Sequence, residues 1–208
     1  RGVIVDGAAR VVEGPSEAAA WQSWVTVQSA PLSQIAYHTL KRSQNFYAQT
    51  LFLQVGARSS SKTGGNVERR GQEEMAVFLA SFQIGANEAY IEEGSGLSRR
   101  SLISPNAMTR VLQSLQERDW FDDYWRCLPI AGEDGTLAGR FREGPAKGAL
   151  RAKTGRLAHA IALSGYGVNR DDERFVFSVM INNLPGIGFS QARRDLDRVV
   201  EAMVAESW

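Results

Sequence analysis

Between residues 31 and 51, apolar side chains recur at near-helical spacing: Leu32, Ile35, Ala36, Leu40, Phe46, Tyr47 and Leu51. The stripe predicts a helix that packs one face against something larger, but "KRSQN" interrupts it by placing Ser43 where it should continue. A second helical pattern carries Met75, Phe78, Leu79 and Phe82, with Gly85 as its stop. Between the two lies "ARSSSKTGGN", a polar Gly/Ser loop. A third helix is announced by "SPNAMTRVLQSL": Ser104 can cap it, Pro105 suits the first helical position, and Met108, Val111, Leu112 and Leu115 form the stripe. From Ala149 the period changes, and "ALRAKTG", "HAIALSGYGV" and "RFVFSVMIN" read as three strands, the last two joined by the polar turn "NRDDE". In the last strand Phe175, Phe177, Val179 and Ile181 face one way and Val176 and Met180 the other, as in a sheet covered on both sides. A closing helix carries Ala192, Leu196, Val199, Val200 and Met203.

Antiparallel strands flanked by helices predict an α+β layered fold, with an antiparallel sheet covered by helices. At 208 residues, 43% of them hydrophobic, the chain fits one domain with a substantial core. Lys and Arg number 24 against 23 acids, a net charge of +1, so bulk charge draws the chain neither to nucleic acid nor to acidic membranes. One cysteine, Cys127, excludes an intramolecular disulfide and reads as a small buried hydrophobe; with two histidines it is too sparse for a zinc site. No apolar run approaches a membrane span, and the opening "RGVIVDGAAR" lacks a signal-peptide layout. The start at Arg1, without an initiator methionine, points to processing or to a segment of something longer.

Candidate chemistry lies in two places. Lys153, Thr154 and Gly155 bring a cation, a hydroxyl and a bare backbone together on a strand, a combination suited to a carboxylate at the end of an extended peptide. In a regular pleat Lys153 and Gly155 face one way and Thr154 the other, so a joint role needs an edge position or a local twist. Solvated surface is the plain alternative. Ser43 and Asn45, two apart, point about 200° from each other in a continuous helix; a helix that breaks between Arg42 and Asn45 and restarts at Phe46 brings both out at one corner. Alternatively Ser43 bonds back to a helix carbonyl or caps the next helix.

"PLSQIAYHTLKRSQNFYAQTLFLQVG" resembles the segment carrying the Ser-x-Asn motif of the class C penicillin-binding proteins, the D-alanyl-D-alanine carboxypeptidase/endopeptidase family. "GSGLSRRSLISP", "LPIAGEDGTLAGRF" and "RAKTGRLAHAIALSGYGV" are similar to further family segments in the family's order, so the resemblance runs from about Pro31 to Asn183. It implies the penicillin-recognising serine hydrolase fold, β-lactamase/transpeptidase-like, which acts through an acyl-enzyme on peptidoglycan stem peptides, is acylated by β-lactams, needs no cofactor or metal, and lies in the periplasm or otherwise outside the cytoplasm. By position, Ser43 would relay a proton to the leaving amine and Asn45 hold a substrate amide. Lys153 would supply positive potential and Thr154 a hydroxyl to the terminal carboxylate, while the backbone after Gly155 would give one oxyanion donor.

Three departures stand out. The family's Ser-x-x-Lys nucleophile motif lies well upstream of Ser-x-Asn, and none of the forty-two residues before Ser43 reads so. The literal match, Ser59 to Lys62, which runs into a second Lys-Thr-Gly at Lys62 to Gly64, sits among polar loop formers without an apolar face to hold a helix, and is read as a decoy. The expectation is that residues 1–208 form the C-terminal part of one transpeptidase-like catalytic domain, incomplete in this chain, with the N-terminal segment carrying the nucleophile as its missing partner. The alternative is an inactive peptidoglycan-binding module that has lost the motif. Secondly, Arg156 replaces the Thr usual after Lys-Thr-Gly, and its guanidinium either pairs with a carboxylate in place of the hydroxyl or points to solvent. Thirdly, Glu93 replaces the Asp usual before "GSGLS"; its turn, with Ser95 and Ser98, reads mainly as structural, with shaping of the site's wall as its alternative role.

Overall fold

The computed structural model describes residues 7–8, 25–60, 66–184 and 188–207. The chain forms two units, Arg1–Ala30 and Pro31–Trp208. The described residues of the first, 7–8 and 25–30, carry no helix or strand; every element below belongs to the second.

The opening helical pattern becomes two helices, α1 (Leu32–Arg42) and α2 (Asn45–Arg58). The break falls where the stripe is interrupted. Ser43 adopts the left-handed conformation, φ 56° and ψ 54°, and the Gln44 N–H reaches back 3.0 Å to the Thr39 carbonyl, which closes α1 and turns the chain. α2 then starts at Asn45, one residue earlier than the spacing predicts. The stripe also misjudges burial: Leu32 and Phe46 are exposed, while α1 buries Thr39 and Lys41 and α2 buries Phe52 and Gly56. Helix α3 (Val67–Ala80) crosses α2 at backbone contact, since a Cβ on Gly56 would stand 2.1 Å from the Val67 carbonyl oxygen; only glycine fits there. α3 is capped by the Asn66 side chain, which accepts from Arg69 N–H at 3.0 Å. The reversal after it uses Gln83 (φ 59°), not Gly85, with Gln83 N–H on Ala80 O at 2.9 Å and Ile84 N–H on Leu79 O at 3.1 Å.

A two-residue pair follows, β1 (Ala89–Tyr90) against β2 (Leu102–Ile103), then α4 (Pro105–Leu115) and the short α5 (Phe121–Cys127). α4 starts as its sequence predicts: Ser104 Oγ accepts from Ala107 N–H at 3.0 Å with Pro105 at the first helical position. Cys127 is buried in α5, its Sγ 3.0 Å from the Asp123 carbonyl, and burial raises its thiol pKa.

The three expected strands form an antiparallel sheet in the order β3-β4-β5, with β3 at Leu150–Leu157, β4 at Ala160–Val168 and β5 at Arg174–Ile181. Both faces are covered. On one, Leu150, Ala152, Leu163 and Phe177 pack with Leu196, Val200 and Val204 of the closing helix α6 (Phe189–Ala205). On the other, Tyr166 and Val176 meet Leu112 of α4 and Phe121, Tyr124 and Trp125 of α5. Tyr166 is wholly buried, donates 2.8 Å to the Leu112 carbonyl, and takes edge-on contacts from Phe121 and Tyr124. Each fully buried leucine here is worth roughly 1.5–3 kcal/mol of transfer free energy, which holds helices to both sides of one sheet. The helix-covered antiparallel sheet is the α+β fold read from the sequence. No helix among the described residues is long and apolar enough to cross a membrane.

Candidate active site

Residues 110 apart meet at the end of α1. Lys153 Nζ donates 2.7 Å to Ser43 Oγ and 2.7 Å to the carbonyl of Thr154. Two local features produce this. The left-handed turn at Ser43 takes its side chain off the course that α1 would have given it, and the pleat of β3 sends Lys153 to the face of the sheet that carries α4 and α5. Burial lowers the Lys153 pKa, because a desolvated ammonium is disfavoured. Thr154, on the α6 face of the pleat, reaches Thr136 Oγ1 at 3.0 Å instead. Asn45 opens α2 and is exposed, as are Gly155 and Arg156, whose guanidinium lies 4.6 Å over the Phe189 ring.

Of the edge position or local twist that a joint role needs, β3 has the edge, as the outer strand of its sheet. β3 has β4 on one side, and on the other Ala152 N–H donates to Pro129 O and Ala131 N–H to Leu150 O, both at 3.0 Å. Antiparallel alternation therefore turns the N–H groups of Thr154 and Arg156 to that same outer edge, where beyond Ala152 no described backbone pairs with them. A strand edge with unpaired donors beside a lysine, a threonine and a serine is suited to an extended peptide with a terminal carboxylate.

Lys41, Asp134 and Thr136 were not singled out by the sequence reading. Lys41, 5% exposed, donates 2.7 Å to the Leu128 carbonyl and forms an ion pair with Asp134 at 2.5 Å; the second carboxylate oxygen accepts from Ile130 N–H at 2.7 Å. Asp134 leads into a 3₁₀ turn, Gly135–Leu137, that presents Thr136 to Thr154. Gly135 (φ 57°) packs so that a Cβ would stand 2.9 Å from the Lys41 carbonyl. Lys41 thus ties the helix that ends in Ser43 to the loop that braces β3. The chain signals this only as a lysine two residues before "SQN" and a turn-forming "EDGT"; their meeting across 93 residues has no local signature.

The other candidates lie elsewhere. Ser59 donates to Glu74 Oε1 at 2.6 Å, and Lys62 to Gly64 fall outside the described residues. Glu93 closes its own turn, accepting from Ser95 N–H at 2.5 Å and Ser98 N–H at 3.1 Å, while Gln49 of α2 accepts from Gly94 N–H at 2.8 Å. Burial acts to raise the Glu93 pKa, but hydrogen bonds from Ser95, Ser98 and Gly96 outweigh it and hold the carboxyl below its ordinary value.

The chain is 31% identical over 166 residues to penicillin-sensitive carboxypeptidase A of Dictyostelium discoideum, covering 76% of this chain and 31% of that protein. It is 31% identical over 163 residues to the D-alanyl-D-alanine carboxypeptidase of Actinomadura sp. (strain R39), covering 76% and 30% respectively. The chain therefore spans about a third of the length of these curated relatives. Penicillin binding protein 4 (dacB) from Haemophilus influenzae superposes with a TM-score of 0.71 at 27% identity, over 82% of this chain and 41% of that one. A β-lactamase from Sphaerobacter thermophilus shares the fold at a TM-score of 0.59 and 18% identity, over 85% of this chain and 65% of that one. The D-Ala-D-Ala carboxypeptidase 3 (S13) family matches residues 1–203, and the chain belongs to that family.

Proposed function

We propose that this chain supplies the Ser43 and Lys153 side of a serine-type D-Ala-D-Ala carboxypeptidase or endopeptidase site, which hydrolyses peptidoglycan stem peptides through an acyl-enzyme and is acylated by β-lactams. The observation that carries the reading is the 2.7 Å bond from Lys153 Nζ to Ser43 Oγ at the open edge of β3. By donating to a lone pair of Ser43, Lys153 leaves the hydroxyl's own proton free to be given to the leaving amine, and the lowered lysine pKa makes replacement of that proton easier. Asn45 holds a substrate amide, Thr154 meets the terminal carboxylate, and the Arg156 N–H gives one oxyanion donor. Arg156 adds positive charge beside that carboxylate.

In this reading residues 1–208 are the C-terminal part of a single transpeptidase-like domain, and the attacking serine and its base come from a part of the protein outside them. The relatives' greater length supports this. A cell-wall substrate places the protein outside the cytoplasm. The test is covalent labelling of the full-length protein by a fluorescent penicillin. Ser43→Ala and Lys153→Ala are each expected to slow labelling by about 100-fold or more, as loss of a positioned proton-transfer or charge-stabilising group does. Undiminished labelling in both variants sinks the site assignment, and stem-peptide binding without any labelling of the wild type favours the inactive binding module.

A further inference from the structure

On the α6 face of β3, beyond Thr154, lies a cleft of ≈ 260 Å³ whose walls include Thr136, Arg140, Thr154, Arg156, Phe189 and Arg193. Its charge is one-sided: three arginines line it and no acidic residue does. Arg140 is neutralised by Asp197, its Nε 3.2 Å from Oδ1. Arg156 is stacked on Phe189, and among the described residues neither it nor Arg193 has an ion-pair partner. Apolar walls from Ile161, Phe189 and Leu196 lower the local dielectric and strengthen the field of the two remaining guanidiniums.

We infer that this cleft is a subsite for a second carboxylate, borne by the side chain of the leaving residue. The inference rests on the proposed reading in which Thr154 meets the terminal carboxylate. With that group fixed at Thr154 beside Arg156, a leaving alanine puts only a methyl towards the cleft and leaves Arg193 to water. A leaving residue whose side chain ends in a carboxylate can reach Arg193, and a planar guanidinium recognises a carboxylate with two parallel bonds. The cleft is small enough to select a short acidic side chain. The preferred scissile bond is therefore one whose leaving amino acid is a dicarboxylate.

The test uses the full-length protein and two substrates with the same N-acyl-D-alanyl donor, one ending in D-alanine and one in D-glutamate, with benzylpenicillin acylation followed in parallel. The wild type is expected to favour the D-glutamate substrate about tenfold in kcat/KM. Arg193→Gln is expected to lower that ratio about fivefold and Arg193→Glu to bring it below one. Arg193 is exposed, so neither change opens the core, and unchanged thermal unfolding confirms this. A wild-type ratio at or below one, or a ratio that Arg193→Gln leaves unchanged, overturns the subsite while penicillin acylation persists. Loss of both penicillin acylation and peptide hydrolysis in the wild type removes the acyl-enzyme reading itself, and the inference with it.

Discussion

Ser43 holds a backbone conformation that glycine normally holds. The left-handed position after a helix costs an L side chain about 1 kcal/mol or more relative to glycine, because Cβ crowds the carbonyl, and serine gains no special relief there. Glycine would end α1 as well, but it has no hydroxyl for Lys153 to meet. The expectation is an inversion of the usual helix scale. Ser43→Ala and Ser43→Gly both lose the bond to Lys153, yet the glycine variant should be the more stable by about 1 kcal/mol in urea unfolding. Were alanine equal or better, the left-handed strain at this residue would be refuted. The sequence showed Ser43 as a break in a stripe, because a hydroxyl among Leu40 and Phe46 violates periodicity. It could not show that Lys153 answers it, since the two residues lie 110 apart in the chain and only the tertiary fold brings them together.

At the scale of elements, the strands were legible because β3, β4 and β5 are long enough for alternation to show, and α4 because its cap, proline and stripe all agree. α5, at seven residues, and the two-residue strands β1 and β2 are too short for any period to register. Burial along α1 departs from the stripe because tertiary contact outweighs hydropathy there: Lys41 goes inside since Asp134 and the Leu128 carbonyl satisfy it, while Leu32 stays exposed. That pair should therefore differ from those at the surface. Lys41→Met leaves the Asp134 carboxylate, still partly solvated, without its cation, and is expected to cost roughly 2–4 kcal/mol. Arg126→Met, which removes an exposed partner of Asp123, should change stability by less than about 0.5 kcal/mol. Denaturant midpoints of the two variants decide it, and equal effects would remove Lys41 from its role as a tie. The Glu93 turn makes a pH prediction of its own. Its folded pKa is depressed, so its contribution is complete above the ordinary carboxylate pKa and is lost as the pH falls through the folded value. Glu93→Gln should flatten that acid limb of the stability profile, measured by thermal unfolding at a series of pH values.

For the unit Pro31–Trp208 as a whole, the sheet is the member common to both cores: Leu163 and Phe177 look towards α6, Tyr166 and Val176 towards α4 and α5. The candidate site is laid across this sheet in the same way, with Lys153 on the α4/α5 face and Thr154 on the α6 face. If the geometry of β3 depends on both layers, damage to either should be felt on the other, because β4 cannot lose one covering without weakening the pleat that the second packs on. Leu196→Ala, which empties a side chain only 1% exposed on the α6 face, is expected to cost about 3–4 kcal/mol. In a single cooperative unit that loss appears not only in α6 and β4 but also in the slowest-exchanging amides of α4, on the far side of the sheet. Native-state hydrogen exchange reads the two faces separately. Protection of α4 that falls by the same free energy as protection of α6 supports one unit and a β3 edge held from both sides; α4 protection that stays at its wild-type level would show two layers that open independently, and the edge would then be governed by the α6 side alone.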